Sequence, residues 1–329
     1  MKYISCYPFI RSKRCQRSIL LVTGTILILT MLVGCSPSTK DLKAVEYAPP
    51  TGADWKVSTP AEQGLDPMLV ADLYYNAADL ETIYGLLVIK NSHLIAERYF
   101  NKGSVEQKAR LQSVTKSFTS ALVGIALDQG LLSSVDQKMI DFFPEVADKI
   151  TDPRKKQITI RHLLQMRAGY PWEESHPVSH LDVKAGEWGQ DAEGHNNGCG
   201  DLHLTARDTA KFGLLYLNDG VYDGNQILPA DWVHHSLQTY SVNEAFVKRV
   251  GDFSDIGYGY HWWSANVGRH HVNFAWGHGG QLIVLLDAFD LSIVVTAQPF
   301  WKEHDDESWK HEKAIIKLVG KFIDSIPIE

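Results

Sequence analysis

Ser113 and Lys116, in "RLQSVTKSFTSALVGIALDQG", stand three residues apart at the head of an apolar run. A serine hydroxyl is a poor nucleophile at neutral pH until a base takes its proton. Residues at i and i+3 share a helix face, about 5–6 Å apart at their β-carbons. An ammonium partly buried there is disfavoured, so the amine can serve as that base. The helix N-terminus also favours negative charge on the serine oxygen. Ser-x-x-Lys is common by chance, and the alternative is a surface lysine with no chemical role. Its context here is Leu111 before it, Phe118 after it, and no further charge until Asp128.

The elements that must position this pair follow from patterning. "YGLLVIKNSHLIAERYF" reads as a hairpin turning at Asn91-Ser92. The Ser113 helix stops at Gly130, and 159–166 ("TIRHLLQM") is a short amphipathic helix. Thr205 and Asp208 form a capping pair for a helix ending at Asp219-Gly220. Four aromatic or β-branched runs within 257–298 predict successive antiparallel strands. Residues 305–326 predict a terminal helix with Ile315, Ile316, Val319 and Phe322 on one face. Together these make an α+β layer.

Four further segments join the serine segment: "ITIRHLLQMRAGYPWE", "HLTARDTAKFGLLYLNDGVYDGNQILPADWV", "IGYGYHWWS" and "WGHGGQLIVLLD". In this order they resemble the serine β-lactamase and penicillin-binding-protein-like hydrolases. The closest branch is class C-like, which includes esterases and 6-aminohexanoate-dimer hydrolase-like enzymes. The resemblance implies a β-lactamase/transpeptidase-like fold, with an antiparallel sheet flanked by helices. It further implies attack on an ester or amide through an acyl-enzyme, with Ser113 and Lys116 catalytic and no cofactor. An oxyanion hole would come from the Ser113 and Gln281 N–H groups. His278, Gly279 and Gly280 occupy the place of the family's Lys-Thr-Gly motif and would bind substrate. A histidine there makes recognition of a substrate carboxylate at neutral pH weaker than a lysine would, which favours esters or amides over β-lactams.

The family's Tyr-x-Asn motif has no counterpart here. Residues 171–215 contain no tyrosine, and only a short stretch joins Tyr170 to Asn196. Tyr216-Leu217-Asn218 fits the pattern but lies late in a helix, and Tyr74-Tyr75-Asn76 precedes the nucleophile. One reading is a deletion near 171–196 that shortened the helical subdomain and impaired catalysis. The other is a natural short loop in which Tyr170 or Tyr258 fills the space. A non-catalytic lipoprotein that binds cell-wall peptide or a protein partner is the competing function.

Other chemistry is less well founded. His234-His235, His270-His271 and His278 lack metal-ligand spacing. Cys199, between glycines in "NNGCGD", has no adjacent base and reads as a loop residue. Trp172, Trp188, Trp262, Trp263 and Trp276 suit an acyl pocket or a core.

Lys13, Arg14 and Arg17 precede an apolar run from Ile19 to Gly34, which is short for a span of roughly 20 residues. Leu-Val-Gly-Cys at 32–35 resembles a lipobox. The expectation is a signal peptide over 1–34, lipid on Cys35, a tether over 35–55 and a hydrolase domain over 56–329. An uncleaved anchor is the alternative. This places the chain at a bacterial cell envelope, periplasmic or outward-facing, held to the membrane by lipid. Without the signal and Cys35 only Cys199 remains, so a core rather than disulfides must hold the domain. The composition, 44% apolar and 22% charged, is that of a globular chain. A net charge of −7 over 329 residues argues against nucleic acid as a partner; a small ester, amide or peptide substrate is what the family resemblance implies.

Overall fold

Asn91 and Ser92 both take positive φ, 49° and 61°, as a tight hairpin turn requires. They join β1 (Ile83–Lys90) to β2 (His93–Tyr99). The computed structural model in which this hairpin sits describes residues 37–50, 54–169, 188–190, 194–242, 248–301 and 305–328. The expected signal peptide, Cys35, Tyr170, Trp172 and most of the expected deletion site lie outside the described residues.

Along the chain, α1 (Thr39–Lys43) and α2 (Pro67–Ala77) precede the hairpin. Asp66 caps α2 by accepting from the Met68 N–H at 2.8 Å, and Pro67 fills its first position. After the hairpin come β3 (Ala109–Arg110), a 3₁₀ turn over Gln112–Val114, and α3 (Thr115–Asp128). Between Gly130 and His203, the α-helix found among the described residues is the five-residue α4 (Ile160–Leu164), the rest of the helical structure there being 3₁₀. Next are β4 (His203–Leu204), α5 (Ala206–Leu217), the small hairpin β5–β6 (Val221–Tyr222, Asn225–Gln226) and α6 (Ala230–Leu237). Thr205 caps α5 as expected: its hydroxyl accepts from the Asp208 N–H at 3.1 Å.

The remaining strands are β7 (Ser241–Val242), β8 (Arg249–Val250), β9 (Phe253–Tyr258), β10 (Trp263–Val267), β11 (His270–Gly277), β12 (Gln281–Leu286) and β13 (Leu291–Ala297). α7 (Asp305–Asp324) closes the chain. Among the described residues, one nine-stranded sheet runs β2-β1-β13-β12-β11-β10-β9-β7, with β8 beside β9. Its pairings are antiparallel.

Alternation of side chains sorts the central strands onto two cores. Leu86, Val88, Val284, Leu286, Ile293 and Val295 face α2 and α7, meeting Leu73, Tyr74, Ile315 and Val319. Leu87, Ile89, Ile283, Leu285 and Val294 face the other way, onto Phe212 and Tyr216 of α5 and Trp232 of α6. Both faces are covered, so these strands read as continuous apolar runs. Each such side chain contributes about 1.5–3 kcal/mol on burial.

The described part of the expected tether is not a tether. Val45 and Tyr47 pack on the α2/α7 core, and the Tyr47 carbonyl accepts from the Glu97 N–H at 2.8 Å. Arg207 of α5 donates two bonds to Glu97, at 2.8 Å each, and others to Asp54 (2.8 Å) and the Pro50 carbonyl (3.0 Å). Few apolar residues dock this segment, and an arginine far along the chain completes it. Its polar composition therefore misrepresents it.

Candidate active site

The nucleophile segment is held from three sides. The Leu111 N–H donates to the Leu202 carbonyl at 2.8 Å, continuing the β3–β4 pairing. Gln112 takes a left-handed φ of 50°, so the chain turns sharply just before Ser113. Ser113 lies in the 3₁₀ turn ahead of α3 rather than in the helix itself. From the sheet, Gly277 presses on this turn. A β-carbon there would stand 2.3 Å from the Leu111 carbonyl oxygen and 3.2 Å from the β-carbons of both Gln112 and Gln281. Only glycine allows that approach, which brings the start of β12 up to the nucleophile segment.

Lys116 is buried at 8% exposure, whereas Ser113 is half-exposed. The Lys116 Nζ donates to Ser113 Oγ at 2.8 Å and to the Cys199 carbonyl at 3.0 Å. The "NNGCGD" loop lies along the first turns of α3. The Gly198 carbonyl accepts from the Thr119 hydroxyl at 2.7 Å, and the Leu202 N–H reaches the Thr115 hydroxyl at 3.3 Å. Asn197 braces the loop through Asp201 at 2.9 Å and the Cys199 N–H at 3.1 Å. Cys199 therefore meets the site through its carbonyl oxygen, while its thiol points to Asn197 Oδ1 at 3.0 Å.

The 278–280 segment is a turn between β11 and β12, and α7 holds it. Glu312, 1% exposed, accepts from the Trp276 indole N–H at 2.7 Å and the Gly279 N–H at 2.6 Å. Its Oε2 also lies 3.2 Å from His278 Nδ1. The His278 ring packs between Phe300 and Trp309. Packing within the protein itself calls for glycine at both positions. A β-carbon on Gly279 would stand 2.3 Å from Pro299 Cα, and one on Gly280 2.5 Å from Ile315 Cδ1. Gln281 is wholly buried, and its side chain exchanges hydrogen bonds with the Ala297 backbone at 2.7 and 3.0 Å. The structure thus joins Ser113, Lys116 and the loop carbonyls tightly. It brings Gln281 alongside through Gly277 and ties His278 and Gly279 to the terminal helix.

Sequence reasoning missed Glu312, the Cys199 carbonyl and His261. Glu312 carried a signal: it lies three and four residues before Ile315 and Ile316, on the buried stripe of α7, where a carboxylate needs partners. His261 sits in the β9–β10 turn at φ 60°. Its carbonyl accepts from the Ser117 hydroxyl at 2.7 Å, and its Nδ1 lies 3.3 Å from the Tyr258 hydroxyl. Burial, with the Lys116 ammonium nearby, pushes its imidazole down to about 3. The Tyr258 hydroxyl thus stands beside the His261 ring. Tyr216 and Tyr74 are core residues, the latter donating to the Leu86 carbonyl at 2.8 Å. The histidine pairs scatter: His270 is buried against the Ile326 carbonyl at 2.9 Å, and His234 is exposed near Asp219 at 3.6 Å. Trp262 and Trp276 are buried, Trp262 in the α5/α6 core.

Residues 77–183 match the Beta-lactamase family model. The 6-aminohexanoate-dimer hydrolase of Paenarthrobacter ureafaciens is 21% identical, over 73% of this chain and 78% of its own. Among solved structures, a putative 6-aminohexanoate-dimer hydrolase from Bacillus anthracis superposes with a TM-score of 0.53 at 17% identity. That match covers 77% of this chain and 82% of the other. A penicillin-binding-protein homologue from Caulobacter crescentus gives 0.54 at 13% identity, over 83% and 99%. The fold is β-lactamase/transpeptidase-like, and the resemblance to β-lactamase-related serine hydrolases holds.

Proposed function

We propose that the chain hydrolyses an ester or amide through an acyl-enzyme on Ser113, with Lys116 as base. The observation that carries this reading is the 2.8 Å bond between a buried amine and a half-exposed hydroxyl at the head of α3. The similarity to proteins named as hydrolases supports the reaction class.

As Ser113 Oγ bonds to the substrate carbonyl carbon, its proton passes to the Lys116 amine in the form of the enzyme in which Lys116 has given up its own proton. The carbonyl oxygen becomes an oxyanion, for which the N–H groups of Ser113 and Gln281 are the donors in this reading. Lys116, now an ammonium, gives its proton to the leaving oxygen or nitrogen as that bond breaks. Water then attacks the acyl-Ser113 ester, with Lys116 taking a proton from it and returning one to Ser113 Oγ. Throughout, the Cys199 carbonyl accepts one Lys116 N–H and keeps the amine aimed at the serine.

The stretch 171–215 holds no tyrosine to match the family's Tyr-x-Asn motif, and on that ground turnover is taken to be impaired. Losing one member of a relay that acts as a unit costs orders of magnitude. The chain is further proposed to be a lipoprotein anchored at the cell envelope through Cys35; fatty-acid labelling lost in Cys35→Ser tests that.

The central experiment is intact-mass analysis after incubation with a fluorophosphonate. One adduct on Ser113, absent in Ser113→Ala, is expected. A cooperatively folded chain that takes no adduct would overturn the hydrolase in favour of a binding role. Ester turnover of about 10 s⁻¹ or more, a common enzyme rate, would overturn the impairment.

A further inference from the structure

Four cations line one cleft of about 910 Å³: Lys248 just before β8, Arg249 at its start, and Lys310 and Lys313 on α7. Trp276, Trp309 and Val250 supply apolar lining, and Asp306 is the carboxylate in the wall. The Arg249 guanidinium is fixed by a 3.1 Å bond from Nε to the Gly251 carbonyl. The Lys313 Nζ lies 5.6 Å from the centre of the half-exposed Trp309 ring. Lys310 makes a long 4.0 Å contact with Glu307.

Two elements remote in sequence therefore bring like charges together in a chain whose net charge is −7. A basic composition does not explain that. Cations converging on a concave surface repel one another and create a positive potential that an anion relieves. A guanidinium fork beside lysine point charges suits an anion with several acceptor oxygens.

We propose that this cleft binds a phosphate group carried on an apolar body, whether a soluble phosphate ester or a phospholipid headgroup. The proposal is independent of the hydrolase reading, since none of its residues touches Ser113 or Lys116 in the contacts described above.

The test uses the full-length chain and two probes. Isothermal titration calorimetry with phenyl phosphate reads the soluble source. Co-sedimentation with phosphatidylglycerol vesicles, less that with phosphatidylcholine vesicles, reads the lipid source. The variant is Arg249→Glu/Lys313→Glu. Its control is Lys102→Glu/Lys108→Glu, which makes the same charge change at exposed positions elsewhere. Saturable binding to either probe, weakened at least tenfold in the cleft variant and unchanged in the control, is expected and identifies the source. Binding to neither probe, or equal loss in the two variants, overturns the proposal.

Discussion

At the scale of single residues, the site depends on groups that tolerate no change of charge. His261 is held neutral down to about pH 3 by burial and by Lys116. An unfolded histidine takes its proton near pH 6.5. Between those values the unfolded chain binds a proton that the folded chain refuses, so this group stabilises the fold above about pH 6.5 and loses that contribution as pH falls. The slope is about 1.4 kcal/mol per pH unit. Asparagine accepts a positive φ. His261→Asn should therefore fold while flattening the pH dependence of urea stability between pH 6 and 4.5. Parallel slopes in wild type and variant would show that the imidazole does not titrate this way. Glu312 is the second such residue. Glu312→Gln retains an acceptor for Trp276 but sets an amide NH₂ against the Gly279 N–H. Hydrogen bonds to a charged partner are each worth about 1.5–3 kcal/mol, and a loss of that order in denaturant stability is expected. An unchanged midpoint would mean that the 278–280 turn does not need the carboxylate.

At the scale of elements, the end of β11 sets where the nucleophile turn stands. A methyl group on Gly277 would meet the Leu111 carbonyl oxygen at 2.3 Å, a backbone atom that cannot swing aside as a flexible side chain would. Gly277→Ala should lower stability by about 1–3 kcal/mol, the usual cost of overpacking. It should also slow fluorophosphonate labelling of Ser113 in the fraction that stays folded. Labelling at the wild-type rate would show that the β11 contact does not position the serine. The elements themselves were legible in the sequence wherever a local pattern determines them: Asn91-Ser92 for the hairpin, Thr205-Asp208 for the α5 cap, Ile315 to Phe322 for the buried face of α7. The Ser113–Lys116 pair was legible for the same reason, because a spacing of three is local. What escaped was long-range or made by backbone. The Lys116 acceptor is a carbonyl, which no residue type announces, and it arrives from position 199. The docking of 37–50 hangs on Val45, Tyr47 and Arg207, too few residues to show in a composition.

At the scale of the whole molecule, the two sides of the sheet are unequally finished. The face toward α2 and α7 is covered by long helices whose apolar residues are buried. On the other face α3 carries apolar residues around its whole circumference, a pattern proper to a fully enclosed helix. Yet Leu122 is 51% exposed, and beyond the helix Leu131 (73%), Phe142 (43%), Phe143 (49%) and Met166 (53%) are also open. Between Met139 and Lys149 the chain forms 3₁₀ turns with no buried residue. A segment with so few buried contacts opens without unfolding the sheet. Hydrogen–deuterium exchange should therefore divide the molecule. Amides of β1, β12 and β13 should exchange only through global unfolding, with protection that tracks denaturant stability. Amides of 131–166 should exchange faster by at least two orders of magnitude, and their rates should not respond to Glu312→Gln, which weakens the far side. Uniform protection would show that the flank is as firmly held as the core. The division matters for chemistry because Lys116 lies between the two regimes: its Ser113 contact is braced by the sheet through Gly277, while α3 carries it along the thinly covered flank.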